Sequence, residues 1–141
     1  MTIAYYSLSK EVMSHFLGAK NKLDNSSLPY DLIELIYLRI SQINGCFYCI
    51  KMHTEALKKH HVDENKINSI ENYSKSTYFS NKEKAAFNWA ESITLIIDKK
   101  ASKQDLEKLK FYFNDQEISD LSFAISLMNA FNRMAIAFQH G

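Results

Sequence analysis

Apolar residues recur at helical spacing along most of this chain. The clearest case is Leu32, Ile36, Ile40 and Ile43, which follow one another at steps of four, four and three residues. Such spacing places all of these side chains on one face of a helix. No segment alternates between apolar and polar residues for long enough to predict a strand. The pattern therefore predicts an all-α fold.

Start and stop residues divide the pattern into seven helices. Pro29 and Asp31 mark the start of the second helix, because proline suits a first turn and an acid favours the positive end of the helix dipole. Gly45 ends that helix as its left-handed cap, and Ser80 with Glu83 forms a capping box at the start of the fifth. The predicted helices lie approximately at residues 9–22, 29–44, 46–60, 63–73, 80–97, 102–113 and 115–139.

Several helices have apolar faces, and we expect that of the sixth helix to point inward. These faces carry Val12, Met13, Phe16 and Leu17 in the first helix, Ile67, Ile70 and Tyr73 in the fourth, and Leu106, Leu109 and Phe113 in the sixth. The last helix, in contrast, is apolar nearly all round and is interrupted by Asn129, Asn132 and Arg133. A helix of that kind is buried on more than one side. In a chain this short we expect the second side to form a subunit interface.

Composition limits the classes of protein to which this chain belongs. Its 141 residues predict one domain, residues 1–141, which is large enough to bury a core without disulfides or metals. A net charge of +1 with scattered basic residues gives no reason to expect nucleic acid as a partner. The N-terminal stretch lacks the features of a signal peptide, and no apolar run approaches the roughly 18–20 residues of a membrane span. We therefore expect a cytoplasmic protein that does not enter membranes.

The two cysteines of the chain lie close together, at Cys46 and Cys49, and His53 follows four residues after the second. On a helix, such positions share a face at about 5–6 Å, which is within reach of a disulfide. A structural disulfide is unusual in the cytoplasm, so the pair is predicted to be redox-active or metal-binding. A helix start also stabilises a thiolate, and lowering a thiol pKa from about 8.5 to about 6.5 makes the thiolate the main form at neutral pH.

Glu34 lies twelve residues before Cys46, on the preceding predicted helix. If the two helices pack against each other, its carboxylate meets the thiols and His53, and partial burial would make it a general base. The alternative is a solvated acid on the exposed face of an amphipathic helix. The cysteines also have two alternatives: they fill core space, or they bind zinc with His53 and a fourth ligand from Glu34 or a distant histidine. We expect neither a metal nor a cofactor.

The stretch ELIYLRISQINGCFYCIKMHTEAL resembles the core motif of the AhpD-like alkylhydroperoxidases, in the carboxymuconolactone decarboxylase superfamily. That motif has a glutamate, eleven residues, and then Cys-x-x-Cys-x-x-x-His. Here it is matched in register, within residues 34–53, by Glu34, Cys46, Cys49 and His53. Two later segments, FSNKEKAAFNWAESIT and MNAFNRMAIAFQ, resemble the second conserved helix and the C-terminal helix of the family. The resemblance extends over about residues 23–139.

This resemblance implies an AhpD-like bundle of about six to seven helices, a thiol peroxidase activity and a homo-oligomer, often a trimer or hexamer. Carried over, Cys49 is the peroxidatic cysteine, Cys46 the resolving one, and His53 with Glu34 the proton relay. Helix geometry alone favours Cys46, which lies nearer the helix start, whereas the family pattern and the spacing to His53 favour Cys49. Tyr48 stands where the best-studied pattern has a histidine, and is therefore a secondary site candidate. The decarboxylases of the superfamily lack the cysteine pair.

The sequence therefore predicts a cysteine-based peroxidase that reduces organic hydroperoxides in antioxidant defence. Its expected partners are the hydroperoxide and a dithiol electron donor, either a thioredoxin-like or a lipoyl protein. Ile43, Phe47, Ile50 and Met52 are expected mainly to pack the core between helices, and the alternative is that some combination of them forms an apolar wall near the thiols. The same residues also suit a thiol–disulfide reductase acting on a protein or small disulfide. A third hypothesis is a non-enzymatic oligomer whose cysteine pair senses redox state.

Overall fold

The fold consists of helices joined by short loops, in a computed structural model that describes residues 3–138. Within that range there are nine α-helices and one 3-10 helix, and no β-strand. The all-α prediction is therefore confirmed. The α-helices are α1 (Tyr5–Leu8), α2 (Lys10–Asp24), α3 (Tyr30–Asn44), α4 (Phe47–Lys59), α5 (Glu64–Asn68), α6 (Asn81–Thr94), α7 (Ile96–Lys99), α8 (Lys103–Tyr112) and α9 (Asp115–Ala137), and the 3-10 helix spans Ile70–Lys75.

Helix α3 is the centre of the bundle. Residues 32–38 are buried without interruption, because α4, α6 and α9 pack around this helix. Of the predicted apolar stripe, Leu32, Ile36 and Ile40 are buried and Ile43 is half-buried. A helix that is apolar all round is one that neighbours surround. The central position of α3 also buries Glu34, which lies in this run.

Side-chain caps fix several helix ends as the sequence indicates. Ser80 and Glu83 form the predicted capping box of α6, with bonds of 3.1 and 2.9 Å. Gly45 follows α3 at a φ of +71°, the left-handed conformation expected of it. Pro29, however, is the N-cap of α3 and lies outside its first turn, with an extended ψ of 133°. A second capping box, at Asn114, was not predicted and starts α9.

Two predicted helices are each divided in the structure. The helix expected near residues 63–73 is α5 followed by the 3-10 helix, although Ile67, Ile70 and Tyr73, the apolar face predicted for it, are all buried. The helix expected to reach residue 97 ends at Thr94, and α7 follows after Leu95, whose φ and ψ are −102° and 39°. β-Branched residues crowd this segment and weaken the helix. The short helix α1 was not predicted.

Helix α2 has a partly exposed apolar face. None of its residues is buried, and Val12 and Leu17 are 58% and 51% exposed. These two residues belong to the predicted apolar face of this helix, which the bundle therefore covers only in part. Helix α2 packs mainly against α9 and α1. Met13 and Phe16 are half-buried there.

Helix α9 is long and buried on the side that faces α3 and α6. Asn129 and Asn132 are buried on that side, so these polar breaks point into the bundle. Phe123 is 67% exposed on another side. The predicted helix reaches residue 139, which lies outside the described residues. Across residues 3–138 none of the helices has the length and apolar character needed to cross a membrane.

Candidate active site

The link between α3 and α4 places the first cysteine. Gly45 turns the chain, and Cys46 becomes the N-cap of α4. The Cys46 N–H donates to the carbonyl of Ser41 at 3.0 Å, and its own carbonyl accepts from the N–H of Ile50 at 2.9 Å. Cys46 is therefore held by backbone hydrogen bonds to both helices.

Cys46 and Cys49 form a disulfide, with Cα atoms 5.3 Å apart. This separation is the one expected for positions three apart at a helix start. Cys46 is fully buried and Cys49 is 4% exposed, and both pack against Ala135 of α9. The sequence contains no other cysteine. The pair can therefore exist as dithiol or disulfide with little change in the backbone.

Helix α3 brings Glu34 directly to His53 of α4. Glu34 Oε2 lies 2.7 Å from His53 Nδ1, and both side chains are 2% exposed. The carboxylate thus accepts a hydrogen bond from Nδ1 and orients the ring, which also packs against Tyr37 with ring centres 5.3 Å apart. The other ring nitrogen, Nε2, is buried and has no hydrogen-bond partner among the described residues. His53 therefore has one nitrogen engaged by Glu34 and one available.

Further charged and aromatic side chains enclose Glu34. Lys20 Nζ lies 2.6 Å from Asp24 Oδ2 and 3.9 Å from Glu34 Oε1. The Tyr37 hydroxyl donates to Asp24 Oδ1 at 3.3 Å. Burial raises the pKa of Tyr37, and burial together with the charges of Glu34 and Asp24 raises the pKa of Tyr30 to about 12. Both tyrosines are therefore neutral at physiological pH.

A cavity of about 380 Å³ opens beside Cys49. Its described lining consists of Tyr5, Met13, Leu17, Lys20, Tyr48, Cys49, Met52, Met128, Phe131 and Ala135. This lining is largely apolar, and Lys20 is the one charged residue among the side chains that form it. Cys46 is not part of it. A volume of this size is within the range of small-molecule sites.

The alternative of an apolar wall near the thiols is mostly wrong. Of the residues proposed for it, only Met52 lines the cavity. Phe47 is 75% exposed on α4, Ile50 packs against the core, and Ile43 is half-buried on α3. Tyr48, the secondary candidate, lines the cavity and is 60% exposed, so it lies at the rim.

A larger cavity of about 660 Å³ lies against α6 and α8. It contains none of the site residues predicted from the sequence. Cys49 and Tyr48 line the cavity of about 380 Å³, and Cys49 is bonded there to Cys46, so we assign the candidate site to this cavity. No group of three or more histidine, cysteine or acidic side chains within residues 3–138 has the arrangement of a metal site.

Comparison with known proteins agrees with this geometry. Residues 9–92, more than half of the chain, match the carboxymuconolactone decarboxylase family. The chain belongs to this family. A protein from Bacillus subtilis, the uncharacterised protein YdfG, is 31% identical over 135 residues, covering 96% of this chain and 92% of its own. The AhpD-like resemblance of the sequence is thus confirmed at the level of family.

Solved structures share the fold of this family member. A protein of unknown function from Agrobacterium tumefaciens, provisionally described as antioxidant defence protein AhpD, is 31% identical with a TM-score of 0.94, covering 100% of this chain and 97% of its own. An uncharacterised peroxidase-related protein from a Silicibacter species is 26% identical with a TM-score of 0.83, covering 96% and 76%. The bundle is therefore the AhpD-like one.

Sequence reasoning missed several residues of the site in this family member. Lys20 and Asp24 form an i, i+4 pair, but nothing in their spacing showed that they approach Glu34 from another helix. The cavity residues Met128 and Phe131 come from α9, far along the chain. An amphipathic pattern shows which face of a helix is apolar and leaves open which neighbour covers that face.

Proposed function

We propose that this family member is a thiol peroxidase that reduces organic hydroperoxides through a dithiol–disulfide cycle of Cys46 and Cys49. The observation that carries the proposal is the unequal placement of the two sulfurs. Cys49 faces a largely apolar cavity, whereas its disulfide partner is fully buried behind it. A substrate that enters the cavity meets Cys49, and Cys46 lies ready to close the disulfide.

His53 and Glu34 supply the base in this proposal. Cys49 and His53 are one helical turn apart on α4, and both are buried. With Nδ1 bound to Glu34, the unpartnered Nε2 is the nitrogen that takes the proton of the reduced Cys49 thiol. The Glu34 carboxylate then stabilises the imidazolium. A buried charge needs such a partner, because desolvation otherwise opposes it.

The oxidation proceeds in two steps. The Cys49 thiolate attacks one oxygen of the hydroperoxide, the S–O bond forms, the O–O bond breaks, and the departing alkoxide takes the proton from His53. Cys49 is now a sulfenic acid. The sulfur of Cys46 attacks it, so that the disulfide forms and water leaves with the Cys46 proton.

The reduction needs a dithiol donor, a thioredoxin-like or a lipoyl protein. The donor attacks the disulfide by thiol exchange, leaves as its own disulfide, and returns two hydrogens to Cys46 and Cys49. Since Cys49 is only 4% exposed, the burial favours a donor thiol on a narrow arm that enters the cavity. A dithiol cycle suits a reducing compartment, and we propose the cytoplasm as its place.

The choice of Cys49 over Cys46 follows from access. A position at the start of α4 favours a thiolate at Cys46, its N-cap. Cys46, however, is 0% exposed and lines none of the cavity next to Cys49. Peroxide cannot attack a sulfur that it does not reach. We therefore assign the peroxidatic role to Cys49 and the resolving role to Cys46, with Tyr48 at the cavity rim.

We also propose a homo-oligomer, a trimer or hexamer. An apolar groove of about 440 Å³ lies between α2 and α9. It is lined by Phe16, Ala19, Lys22, Leu23, Phe123, Ser126, Leu127 and Ala130. Phe123, one of these lining residues, is 67% exposed. Exposed apolar patches of this kind mark interaction sites. A second copy of this chain is the occupant that accounts for the outward apolar face of α2.

The peroxidase proposal is tested by titrating the reduced protein, freed of reductant, with one equivalent of tert-butyl hydroperoxide. The chain has two cysteines, so free thiols and intact mass report only on this pair. Fast loss of both thiols with a mass loss of two hydrogens is expected. Cys49→Ser should abolish the reaction, and Cys46→Ser should stop at the sulfenic acid.

Thiols that survive for an hour in the wild-type protein would contradict the peroxidase. Rapid exchange with a disulfide substrate would then favour the thiol–disulfide reductase. An oxidation that changes the assembly but does not turn over with a reductant would favour the redox sensor.

A further inference from the structure

A cluster of asparagines forms hydrogen bonds between helix α9 and the turn that precedes Cys46. Asn44, the last residue of α3, donates from Nδ2 to the side-chain oxygens of Asn129 and Asn132, at 3.0 Å each. Asn132 in turn donates to Oγ of Ser41 at 3.2 Å. The carbonyl of Ser41 accepts from the Cys46 N–H at 3.0 Å. Side-chain hydrogen bonds therefore connect two residues at the end of α3, Ser41 and Asn44, to α9.

The two asparagines of this cluster that lie on α9 are buried, and Asn44 is half-buried. Asn132 is 0% exposed and Asn129 is 7% exposed. Asn129 Nδ2 also donates to Oγ1 of Thr94 at 3.0 Å, and its side-chain oxygen accepts from Arg133 at 2.9 Å. A buried amide that loses its partners is strongly disfavoured, since no water replaces them. Any shift of the turn away from α9 would break such bonds, so the cluster opposes it.

The same helix supports the sulfurs themselves. Ala135, three residues after Asn132 on α9, packs in one buried cluster with Cys46 and Cys49. Helix α9 thus holds the turn through its asparagines and contacts the disulfide through its next turn. The asparagines line none of the cavity at Cys49. They act on Cys46 through Ser41, whose backbone carbonyl accepts the hydrogen bond from the Cys46 N–H.

We propose that Asn44, Asn129 and Asn132 are positioning residues that hold Cys46 within bonding distance of Cys49. The inference rests on the proposed peroxidase cycle and specifies what controls its second step. In that step the Cys46 sulfur attacks the sulfenic sulfur of Cys49. The S–S bond forms, the S–O bond breaks, and the hydroxyl leaves with the Cys46 proton as water. The first step, at Cys49, does not depend on the asparagines.

Asn44→Ala separates the two steps, because it removes both hydrogen bonds from the Asn44 side chain to α9. After one equivalent of tert-butyl hydroperoxide, loss of the peroxide should match the wild type. Disulfide formation should be slower by about tenfold or more, since small misplacements of reacting groups cost up to about a hundredfold. Sulfenic acid trapped by dimedone should accumulate. Ser122→Ala is the matched control, because it removes another interhelical bond of α9, the 2.9 Å bond from Trp89, away from the turn.

A second measurement does not require peroxidase activity. The dithiol and disulfide forms are equilibrated in glutathione buffers, and the ratio is read by intact mass. Asn44→Ala should lower the equilibrium constant for disulfide formation by about tenfold, which raises the reduction potential by about 30 mV. Asn132→Ala should shift it in the same direction and replaces Asn44→Ala if that variant does not fold. Ser122→Ala should not shift it.

Unchanged potentials in the Asn44 and Asn132 variants would overturn the positioning role, whatever the peroxidase result. Slowing of both steps to the same degree would also overturn it, because that is the effect of general destabilisation. If the reduced wild type does not react with tert-butyl hydroperoxide but the potentials shift as expected, the proposed peroxidase fails and the positioning of Cys46 stands. The two proposals can therefore fail separately.

Discussion

Replacing Glu34 by glutamine tests the charge behind His53 without changing the size of the side chain. The carboxylate is 2% exposed and lies 2.7 Å from His53 Nδ1, so the pair is shielded from solvent. When Cys49 gives its proton to His53, the carboxylate stabilises the imidazolium and an amide does not. A hydrogen bond to a charged group contributes about 1.5–3 kcal/mol. Since one pH unit corresponds to about 1.36 kcal/mol, the pH profile of Cys49 reactivity should move upward by about one to two units.

The assay follows a single thiol. In a Cys46→Ser background, alkylation of Cys49 by iodoacetamide is measured over a range of pH by intact mass. Below the midpoint of the profile, Glu34→Gln should slow alkylation about 10- to 100-fold. Glu91→Gln is the matched control, because Glu91 is also buried, at 9% exposure, and pairs with Arg39 at 2.9 Å on another part of the bundle. This control should leave the profile unchanged.

A profile within a few tenths of a pH unit of the parent would refute the reasoning, since the charge of Glu34 would then have no effect on the thiol. Equal shifts in the Glu34 and Glu91 variants would refute it differently. They would show an effect of net charge or stability and not of the contact with His53. The same variants in the peroxide titration then link the profile to turnover.

Further predictions concern stability and assembly. Gly45→Ala should lower the free energy of unfolding in urea by about 1–2 kcal/mol, because its φ is +71° although its Cβ would meet nothing within 4 Å. Gly18→Ala, in open space on helix α2, should instead raise the free energy of unfolding by about 0.5–1 kcal/mol. A change of the same sign in both variants would contradict this prediction. Burial raises the pKa of Tyr30 to about 12, so the unfolded chain ionises first and stability should fall from about pH 10 upward; a flat urea midpoint there would contradict this. By light scattering, Phe123→Glu should reduce the assembly to single chains whereas Phe111→Glu, 82% exposed outside the groove, should not; a wild-type mass of one chain would disprove the oligomer.

Much of the helical architecture could be predicted because it depends on neighbouring residues. Gly45 and the box of Ser80 with Glu83 act over one to three residues, and both lie where the sequence places them. The buried stripe of α3 also follows from spacing alone. The break after Thr94 could not be predicted, because a β-branched segment lowers helix propensity without showing where the helix ends.

The site could be predicted only in part. Cys46, Cys49 and His53 are close in sequence, so a single helix start fixes their separation. The contact of Glu34 with His53 depends instead on how α3 packs against α4, and the spacing permitted a solvated acid equally well. The packing gives a separation of 2.7 Å. The roles of these side chains in a reaction stay a proposal.

The hydrophobic pattern of the sequence could not predict contacts between residues that are far apart along the chain. Asn44 and Asn132 are 88 residues apart along the chain, yet their side chains share a hydrogen bond. In the sequence Asn132 appeared only as a polar interruption of an apolar helix. Lys20 likewise belongs to another helix than Glu34, and its approach to Glu34 results from how these helices pack. Such pairings arise from tertiary packing, which overrides local propensity.

The Cys46–Cys49 disulfide encloses a very short loop, since the two residues are three positions apart. A loop of about four residues contributes only about 2 kcal/mol through the entropy of the unfolded chain, against about 4.7 kcal/mol for one of 100 residues. Breaking this disulfide therefore lowers the free energy of unfolding only by this small amount. The core around α3 is a cluster separate from the two cysteines, so we expect the dithiol form to keep the same fold through each cycle.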